Sequence, residues 1–147
     1  MKIGLASDHR GYKLKEYLKE KLKEFNYETI DFGTNSEEST DYPDYAFALG
    51  EAVVANKADF GVAICGSGIG ISIACNKVKG IRCAKVSNKE EAAITRIDNN
   101  SNIVAFSEKV SEEEAVEIVK TFIETASSTE EKHIRRVNKI IEYEGRC

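Results

Sequence analysis

The sequence has no surplus of positive charge and no long apolar run. Its 147 residues carry 21 basic and 25 acidic side chains, giving a formal net charge of −4. Proteins that bind nucleic acid or anionic membranes by displacing counterions need surplus cations, so this balance argues against both partners. No stretch approaches the roughly 18 apolar residues of a membrane span, and the first apolar run ends in charge at Asp8, unlike a secretory signal. We therefore expect a cytoplasmic protein with no membrane or nucleic-acid partner.

Residues that form metal sites and disulfides are few and poorly spaced. The four cysteines include no CxxC pair, which gives no support to a zinc ribbon or a thioredoxin-like site. Cytosolic thiols normally stay reduced, so a disulfide framework is not expected. The two histidines are His9 and His133, and a zinc site would need both of them and a cysteine from a third region. We expect no metal.

Strand-like runs alternate with helix-like stretches. The strand-like runs are Lys2–Ala6, Glu28–Phe32, Phe60–Cys65, Ile81–Val86 and Ile103–Phe106. Each is followed by a stretch with helical periodicity or a helix cap, although residues 34–44, which contain the only proline, are predicted to form a loop. This alternation predicts one α/β domain over residues 1–147, with a five-stranded parallel sheet and helices on both faces.

In such sheets ligands bind at the carboxyl ends of the strands. The rule selects five segments as candidates for a site, residues 7–11, 33–44, 65–70, 87–88 and 107–110. The segment at 65–70 reads CGSGIG, and it follows a buried strand and opens a helix. Glycines allow a ligand to approach the backbone closely, and the first amides of a helix lack internal acceptors. Together these features predict an anion site.

The same loop does not match the known nucleotide-binding motifs. A dinucleotide fingerprint would need a glycine at position 71, which is Ile71, and an acidic residue after the next strand, where Val86 to Asn88 stand. A P-loop would need a Lys-Ser/Thr pair after the glycines, and none follows. A small anionic ligand is the better expectation.

Cys65 stands at the end of the buried strand, beside the loop amides. A helix N-terminus or a nearby cation lowers the pKa of a thiol and makes it a base or a nucleophile. We expect Cys75 and Cys83, within apolar runs, to be core residues. Asp8 and His9 follow the first strand and could move or bind protons of hydroxyl groups, although Asp8 could also simply cap the next helix.

The last helix carries Lys132 and Arg136 four residues apart, hence on one face. Two cations on one face can clamp a phosphate. A solvated charged face is the other interpretation of the same pattern.

These residues resemble the type B ribose-5-phosphate isomerases, a family that includes the galactose-6-phosphate isomerase subunits. The stretches that carry the resemblance are SDHRGYKLK (7–15), IDFGT (30–34), TDYPDYA (40–46), ICGSGIGISIACNKVKGIR (64–82), NNSNIVAF (99–106) and KHIRRVNKI (132–140). The resemblance implies a Rossmann-like three-layer sandwich and an aldose–ketose isomerase of the pentose phosphate pathway, converting ribose 5-phosphate to ribulose 5-phosphate. It also implies no cofactor, and a homodimer or dimer of dimers with active sites at the interface.

The resemblance also implies residue roles. Cys65 would be the base that takes a proton from the carbon beside the carbonyl, with Ser67 as the loop hydroxyl and the amides of 66–70 holding the enediolate. Asp98 stands where the family usually has a ring-opening histidine, and lysines replace arginines at 109 and 132. The residues expected to bind substrate are Asp8, His9, Tyr42, Gly66, Gly68, Ile69, Gly70, Asn99, Lys109, Lys132, His133 and Arg136.

Two other functions remain open at this point. A six-carbon aldose phosphate, such as allose 6-phosphate or galactose 6-phosphate, could be the substrate, because the galactose-6-phosphate subunits also lack that histidine. The other hypothesis is not an enzyme: the chain could be a non-catalytic module that binds phosphosugars. A substrate panel separates all three.

Overall fold

The five predicted strands form one parallel sheet. The computed structural model describes residues 1–145, so Cys147 lies outside the described residues. The strands lie in the order β2-β1-β3-β5-β4, and every neighbouring pair is parallel. Their bounds are β1 (Lys2–Ser7), β2 (Glu28–Asp31), β3 (Phe60–Cys65), β4 (Cys83–Lys85) and β5 (Ile103–Ser107).

Six helices accompany the sheet within the described part of the chain, and they are α1 (Tyr12–Glu24), α2 (Tyr42–Val54), α3 (Ile69–Cys75), α4 (Lys89–Asn99), α5 (Glu112–Glu124) and α6 (Glu131–Glu144). Buried apolar residues of α1, α4 and α5 form one cluster with the strands. Buried residues of α2 and α3 form a second cluster with the other face of the strands. The predicted Rossmann-like three-layer sandwich is therefore confirmed.

Helix boundaries agree with the sequence where a cap signal is present. The hydroxyl of Ser111 accepts a hydrogen bond from the Glu114 amide at 3.2 Å, as the capping box predicts. The predicted loop over 34–44 is wrong at its end, because α2 begins at Tyr42 and includes Pro43 in its first turn. A first-turn residue needs no amide hydrogen for the helix, so proline fits there.

The direction in which strands are added changes between β1 and β3. The chain leaves β1 towards β2 on one side and later returns to β3 on the other, which makes this pair the topological switch point where ligands bind in such sheets. We call the carboxyl ends of the strands, at Ser7, Cys65 and Ser107, the upper edge, and the amino ends the lower edge. No helix among residues 1–145 combines the length and the apolar character that crossing a bilayer requires.

Candidate active site

The thiol of Cys65 meets the glycine loop at the upper edge of the sheet. The Gly68 amide donates a hydrogen bond to Sγ of Cys65 at 3.2 Å. Cys65 is 4% exposed and packs with the core cluster of α2 and α3, while its sulfur faces the loop backbone. Gly68 has a φ of 78°, and a Cβ there would lie 2.5 Å from the carbonyl carbon of Phe106. This close approach is what allows the amide to reach the thiol.

The other loop amides are used differently. Ile69 donates its amide to the hydroxyl of Ser67 at 3.1 Å, while the amides of Ser67 and Gly70 have no acceptor among residues 1–145. A Cβ on Gly70 would lie 2.8 Å from the Tyr42 ring, so this ring packs directly on the loop. The Gly68 amide is thus turned to the sulfur, and the amides of Ser67 and Gly70 have no acceptor within residues 1–145.

Asp8 and His9 lie beside the loop, in the turn between β1 and α1. Oδ1 of Asp8 accepts hydrogen bonds from the amides of Arg10 at 3.0 Å and Gly11 at 3.1 Å. Asp8 therefore fixes this turn, but it is not the helix cap that the sequence left open as an alternative, because the N-cap of α1 is Gly11 and has no side-chain cap hydrogen bond. Nδ1 of His9 accepts from the Thr40 amide at 3.2 Å, so its other ring nitrogen, Nε2, is the one available to a ligand.

The three described thiols differ in environment. Cys75 is fully buried, as expected, whereas Cys83 is partly buried and packs against the margin of the same core cluster. Because β4 begins at Cys83 on the sheet border, its side chain is covered from fewer sides. A hydrogen bond with Cys75, followed by burial, raises the pKa of Cys83 well above the usual thiol value. Both effects keep Cys83 protonated, and neither thiol faces a glycine loop.

The loop after β5 closes the site from the other side. The Ser107 hydroxyl donates to the Gly66 carbonyl at 2.7 Å, and the Glu108 amide donates to the Cys65 carbonyl at 2.9 Å. Lys109 follows with an exposed side chain. Sequence reasoning missed Arg10, whose Nη2 donates to Oε1 of Glu108 at 2.9 Å above this loop. Both residues lie in segments that the strand-end rule selected, but nothing in the sequence pairs them.

The remaining predicted site residues lie at the lower edge. Helix α4 starts after the carboxyl end of β4 and ends where β5 begins, so Asp98 and Asn99 lie at the opposite edge of the sheet from Cys65. Helix α6 contacts α4, which puts its basic residues on the same side. The fold thus divides the predicted site into an upper group around Cys65 and a lower group, namely Asp98, Asn99, Lys132, His133 and Arg136.

The lower group is held in place by its own contacts. Nε2 of His133 lies 3.5 Å from Oδ1 of Asp98, and the hydroxyl of Thr95 donates to Oδ1 of Asn99 at 3.1 Å. Lys132 lies 3.6 Å from the Glu130 carboxylate in an exposed pair. Arg136 is exposed, and no carboxylate within residues 1–145 pairs with it. The lower group therefore offers a carboxylate and two cations to solvent or to another chain, whereas the His133 imidazole is mostly covered.

No group of three or more metal-ligating His, Cys, Asp or Glu side chains occurs within the described residues. What the upper group offers is a thiol, free backbone amides and an imidazole. Groups of these three kinds can supply a base, oxyanion donors and a hydroxyl-binding group in proton-transfer chemistry.

Comparisons with known proteins agree on one family. A family model described as Ribose/Galactose Isomerase matches residues 3–140. The chain is 39% identical over 148 residues to ribose-5-phosphate isomerase B of Escherichia coli, covering 99% of this chain and 97% of that protein. It is similar to the structure of ribose-5-phosphate isomerase B of Clostridium thermocellum, with a TM-score of 0.95, 46% identity and 99% of both chains covered. It is also similar to the crystal structure of ribose-5-phosphate isomerase B of Mycoplasma genitalium with bound ribulose-5-phosphate, with a TM-score of 0.92 and 38% identity. That match covers 99% of this chain and 97% of the other.

Proposed function

The chain belongs to the ribose/galactose isomerase family, and from this premise we propose that it interconverts ribose 5-phosphate and ribulose 5-phosphate, with Cys65 as the base. A related structure holds ribulose-5-phosphate, which supports a pentose phosphate as the substrate. The observation that carries the role of Cys65 is the contact of its thiol with the Gly68 amide at 3.2 Å, at the switch point of the sheet. The chemistry is that of an aldose–ketose isomerase.

The proposed reaction moves protons only. The Cys65 thiolate takes the proton from C2 of the open-chain aldose, and the electron pair of that bond forms the double bond between C1 and C2. The carbonyl oxygen at C1 becomes an oxyanion. It takes the proton that the C2 hydroxyl loses as C2 becomes the new carbonyl carbon, and the thiol returns its proton to C1. Atoms and electrons balance within the sugar, so no oxidant or reductant is needed.

Donors for the oxyanion come from the loop. The amides of Ser67 and Gly70 have no acceptor among the described residues, so they are free for a negatively charged oxygen. One preorganised oxyanion donor is worth about 2.7–4 kcal/mol in measured enzymes. His9, held through Nδ1 by the Thr40 amide, presents Nε2 to a sugar hydroxyl or to the phosphate. The Tyr42 ring packs against the loop at Gly70.

Each complete site is proposed to use two chains. The lower group lies across the sheet from the thiol, so the chain that supplies Cys65 does not bring its own Asp98 to it. A symmetric dimer that sets the upper edge of one copy against the lower edge of the other would form two equal sites. There Asp98 would open the sugar ring, while Asn99 and His133 would contact sugar hydroxyls. Lys109 of the first copy, with Lys132 and Arg136 of the second, would hold phosphate.

A six-carbon aldose phosphate is the second candidate. The observation that favours it is that Asp98 stands beside His133, at the position where the ribose-5-phosphate isomerases that the chain resembles usually have a histidine and the galactose-6-phosphate subunits do not. Both candidates share the proton chemistry at Cys65, so the substrate panel below decides between them.

A coupled assay of ribose 5-phosphate, allose 6-phosphate and galactose 6-phosphate at equal concentration tests this proposal. We expect the highest kcat/KM for ribose 5-phosphate. Cys65→Ala and Cys65→Ser should lower kcat by about 10²–10⁴-fold, because a positioned base supplies an acceleration of that order. Cys75→Ala, which removes a buried thiol outside the site, is the matched control and should keep most of the activity of the folded enzyme.

Two results would contradict the proposal. Near-normal turnover by the Cys65→Ala variant would show that Cys65 is not the base. A clear preference for a six-carbon phosphate would show that ribose 5-phosphate is not the main substrate. Solvent-deuterium incorporation at C2 of recovered ribose 5-phosphate checks the proton step directly. It should occur with the native enzyme and be lost with Cys65→Ala.

A further inference from the structure

Arg10 lies over the first glycine of the loop, at the mouth of the upper group. A Cβ atom on Gly66 would lie 3.5 Å from the guanidinium carbon and from Nη1 of Arg10, so the guanidinium packs against the backbone directly after Cys65. The backbone of Arg10 is fixed, because its amide donates to Oδ1 of Asp8 at 3.0 Å. The side chain therefore runs from the turn after β1, across the end of β3, to the loop after β5.

Most of the hydrogen-bonding capacity of this guanidinium is unused. Nη2 donates to Oε1 of Glu108 at 2.9 Å, and no other side-chain donor of Arg10 has an acceptor within residues 1–145. The side chains of Arg10 and Glu108 are 53% and 28% exposed. An exposed ion pair adds little to stability, so the fold does not require this one. Arg10 is also the sole arginine in the upper-edge segments at 7–11, 33–44, 65–70, 87–88 and 107–110.

We infer that Arg10 binds the phosphate group of the substrate, and that Glu108 occupies its guanidinium while the site is empty. This inference rests on the proposed function, because it takes the ligand at the upper edge to be a sugar phosphate. A guanidinium presents parallel N–H donors that match two phosphate oxygens, a match that the lysine ammonium lacks. A phosphate near its second ionisation carries more negative charge than one carboxylate, so it displaces Glu108 from Arg10. Glu108 is then a competitor for substrate and sets the KM of the enzyme.

Steady-state kinetics with ribose 5-phosphate and inhibition by inorganic phosphate test this role in four variants. Arg10→Gln should raise KM and the inhibition constant of phosphate about tenfold or more. Its kcat should stay within about threefold, because the lost contact exists in both the ground and the transition state. Arg10→Lys should recover part of the loss. Glu108→Gln should lower KM, and it should lose that effect when Arg10→Gln is also present.

Lys13→Gln is the matched control. Lys13 lies on helix α1 and forms an exposed ion pair with Glu37, and the Lys13 side chain is 84% exposed. This variant makes the same charge change three residues away, and its KM should equal that of the native enzyme. Measurements at high ionic strength suppress effects of net charge and leave the direct contact.

An unchanged KM and phosphate inhibition in Arg10→Gln would overturn the inference. So would a Glu108→Gln effect of equal size with and without Arg10. Failure of the proposed function is distinguishable from this outcome, because it would show as no turnover of ribose 5-phosphate by the native protein. Calorimetric binding of inorganic phosphate to the native protein and to Arg10→Gln would then decide the role of Arg10 without turnover. Equal affinities would reject it, and a tenfold difference would support it.

Discussion

At the scale of single residues, the environment of the thiol depends on the backbone of Gly68. This glycine has a left-handed φ of 78°, and the space beside its Cα is filled by the backbone of Phe106. A side chain there meets two costs, the strain of the left-handed conformation and a clash with backbone that no rotamer change relieves. The same conformation directs the Gly68 amide at Cys65. Sequence reasoning could therefore identify the glycine loop, but not which of its glycines is structurally required.

The first prediction compares two alanine substitutions in that loop. Gly68→Ala should destabilise the protein by about 2 kcal/mol or more and should abolish most isomerase activity. Gly66→Ala is the control, because its Cβ would meet the Arg10 guanidinium at 3.5 Å, an ordinary contact. It should change the free energy of unfolding by less than about 1 kcal/mol. Urea denaturation measures both variants, and equal stability of the two would contradict the prediction.

Pairings between distant loops are the part of the site that the sequence did not reveal. The strand-end rule selected the segments that hold Arg10 and Glu108, because parallel strands bring their carboxyl ends to one edge. Their contact at 2.9 Å depends on side-chain directions over 98 residues of separation. The sequence showed that both positions are charged, but it did not show that the two side chains contact each other. The His9 contact with Thr40 is of the same kind.

At the scale of secondary-structure elements, a buried cation ties α1 to β2 behind the site. Nζ of Lys15 is fully buried and lies 2.7 Å from Oδ2 of Asp31. Oδ1 of the same carboxylate accepts from the Gly33 amide at 2.9 Å, and the Gly33 carbonyl accepts from Ser7 at 2.7 Å. This chain of contacts fixes the end of β1, from which Asp8 and His9 project.

The pH dependence of this link follows from Asp31. Burial would raise the pKa of Asp31, but hydrogen bonds from Lys15 and Lys19 outweigh it, and the pKa lies below the usual aspartate value. A carboxylate with a lowered pKa in the folded state contributes stability above its unfolded pKa of about 3.9. That contribution is lost as the pH falls through the lowered pKa.

The second prediction is that Lys15→Met loses stability in a pH-dependent way. At pH 7 the variant should lose about 1–3 kcal/mol, because Asp31 keeps its charge with one partner fewer. The difference from the native protein should shrink at pH values below the Asp31 pKa, where the pair is already lost. Lys13→Met, on the exposed face of the same helix, should cost less than about 0.5 kcal/mol at either pH. A loss that stayed constant with pH would show that only packing was removed.

Periodicity and capping signals predicted the elements well. The leucines of α1 recur at helical spacing and are buried, and Ser111 caps α5 as its sequence indicates. The predicted loop extends past the true start of α2, because proline is common in loops but is equally compatible with the first turn of a helix. The strand β4 is shorter than its apolar run, because Ile81 and Arg82 precede the ladder with β5.

At the scale of the whole molecule, the sheet separates the two halves of the predicted site. Family resemblance indicated which residues belong together, but chain topology puts Cys65 at the upper edge and Asp98 at the lower edge. Helix α6 carries Arg136 on an exposed face, with Val137 as its sole buried residue within the described chain. A helix with so little core contact leaves its cations exposed, as the proposed two-chain site requires.

The last prediction tests the two-chain site by complementation. Cys65→Ala keeps the lower group, and Arg136→Ala keeps the thiol, so each variant alone should be strongly impaired. When the two are mixed, dissociated and reassembled, half of the dimers pair unlike chains, and one site of each such dimer has both native residues. Activity should then rise to about a quarter of the native value.

The design separates a shared site from a single-chain one. If each site were built within one chain, every site would carry one of the two substitutions and mixing would restore nothing. Two other mixtures serve as controls. A mixture of Cys65→Ala with Cys65→Ser must not recover activity, since every site then lacks the thiol. A mixture of Arg136→Ala with Lys132→Ala must not exceed its parents, since both changes lie in the lower group and no site regains both cations. Recovery confined to the first mixture would require that substrate is bound between one chain's upper edge and its neighbour's lower edge.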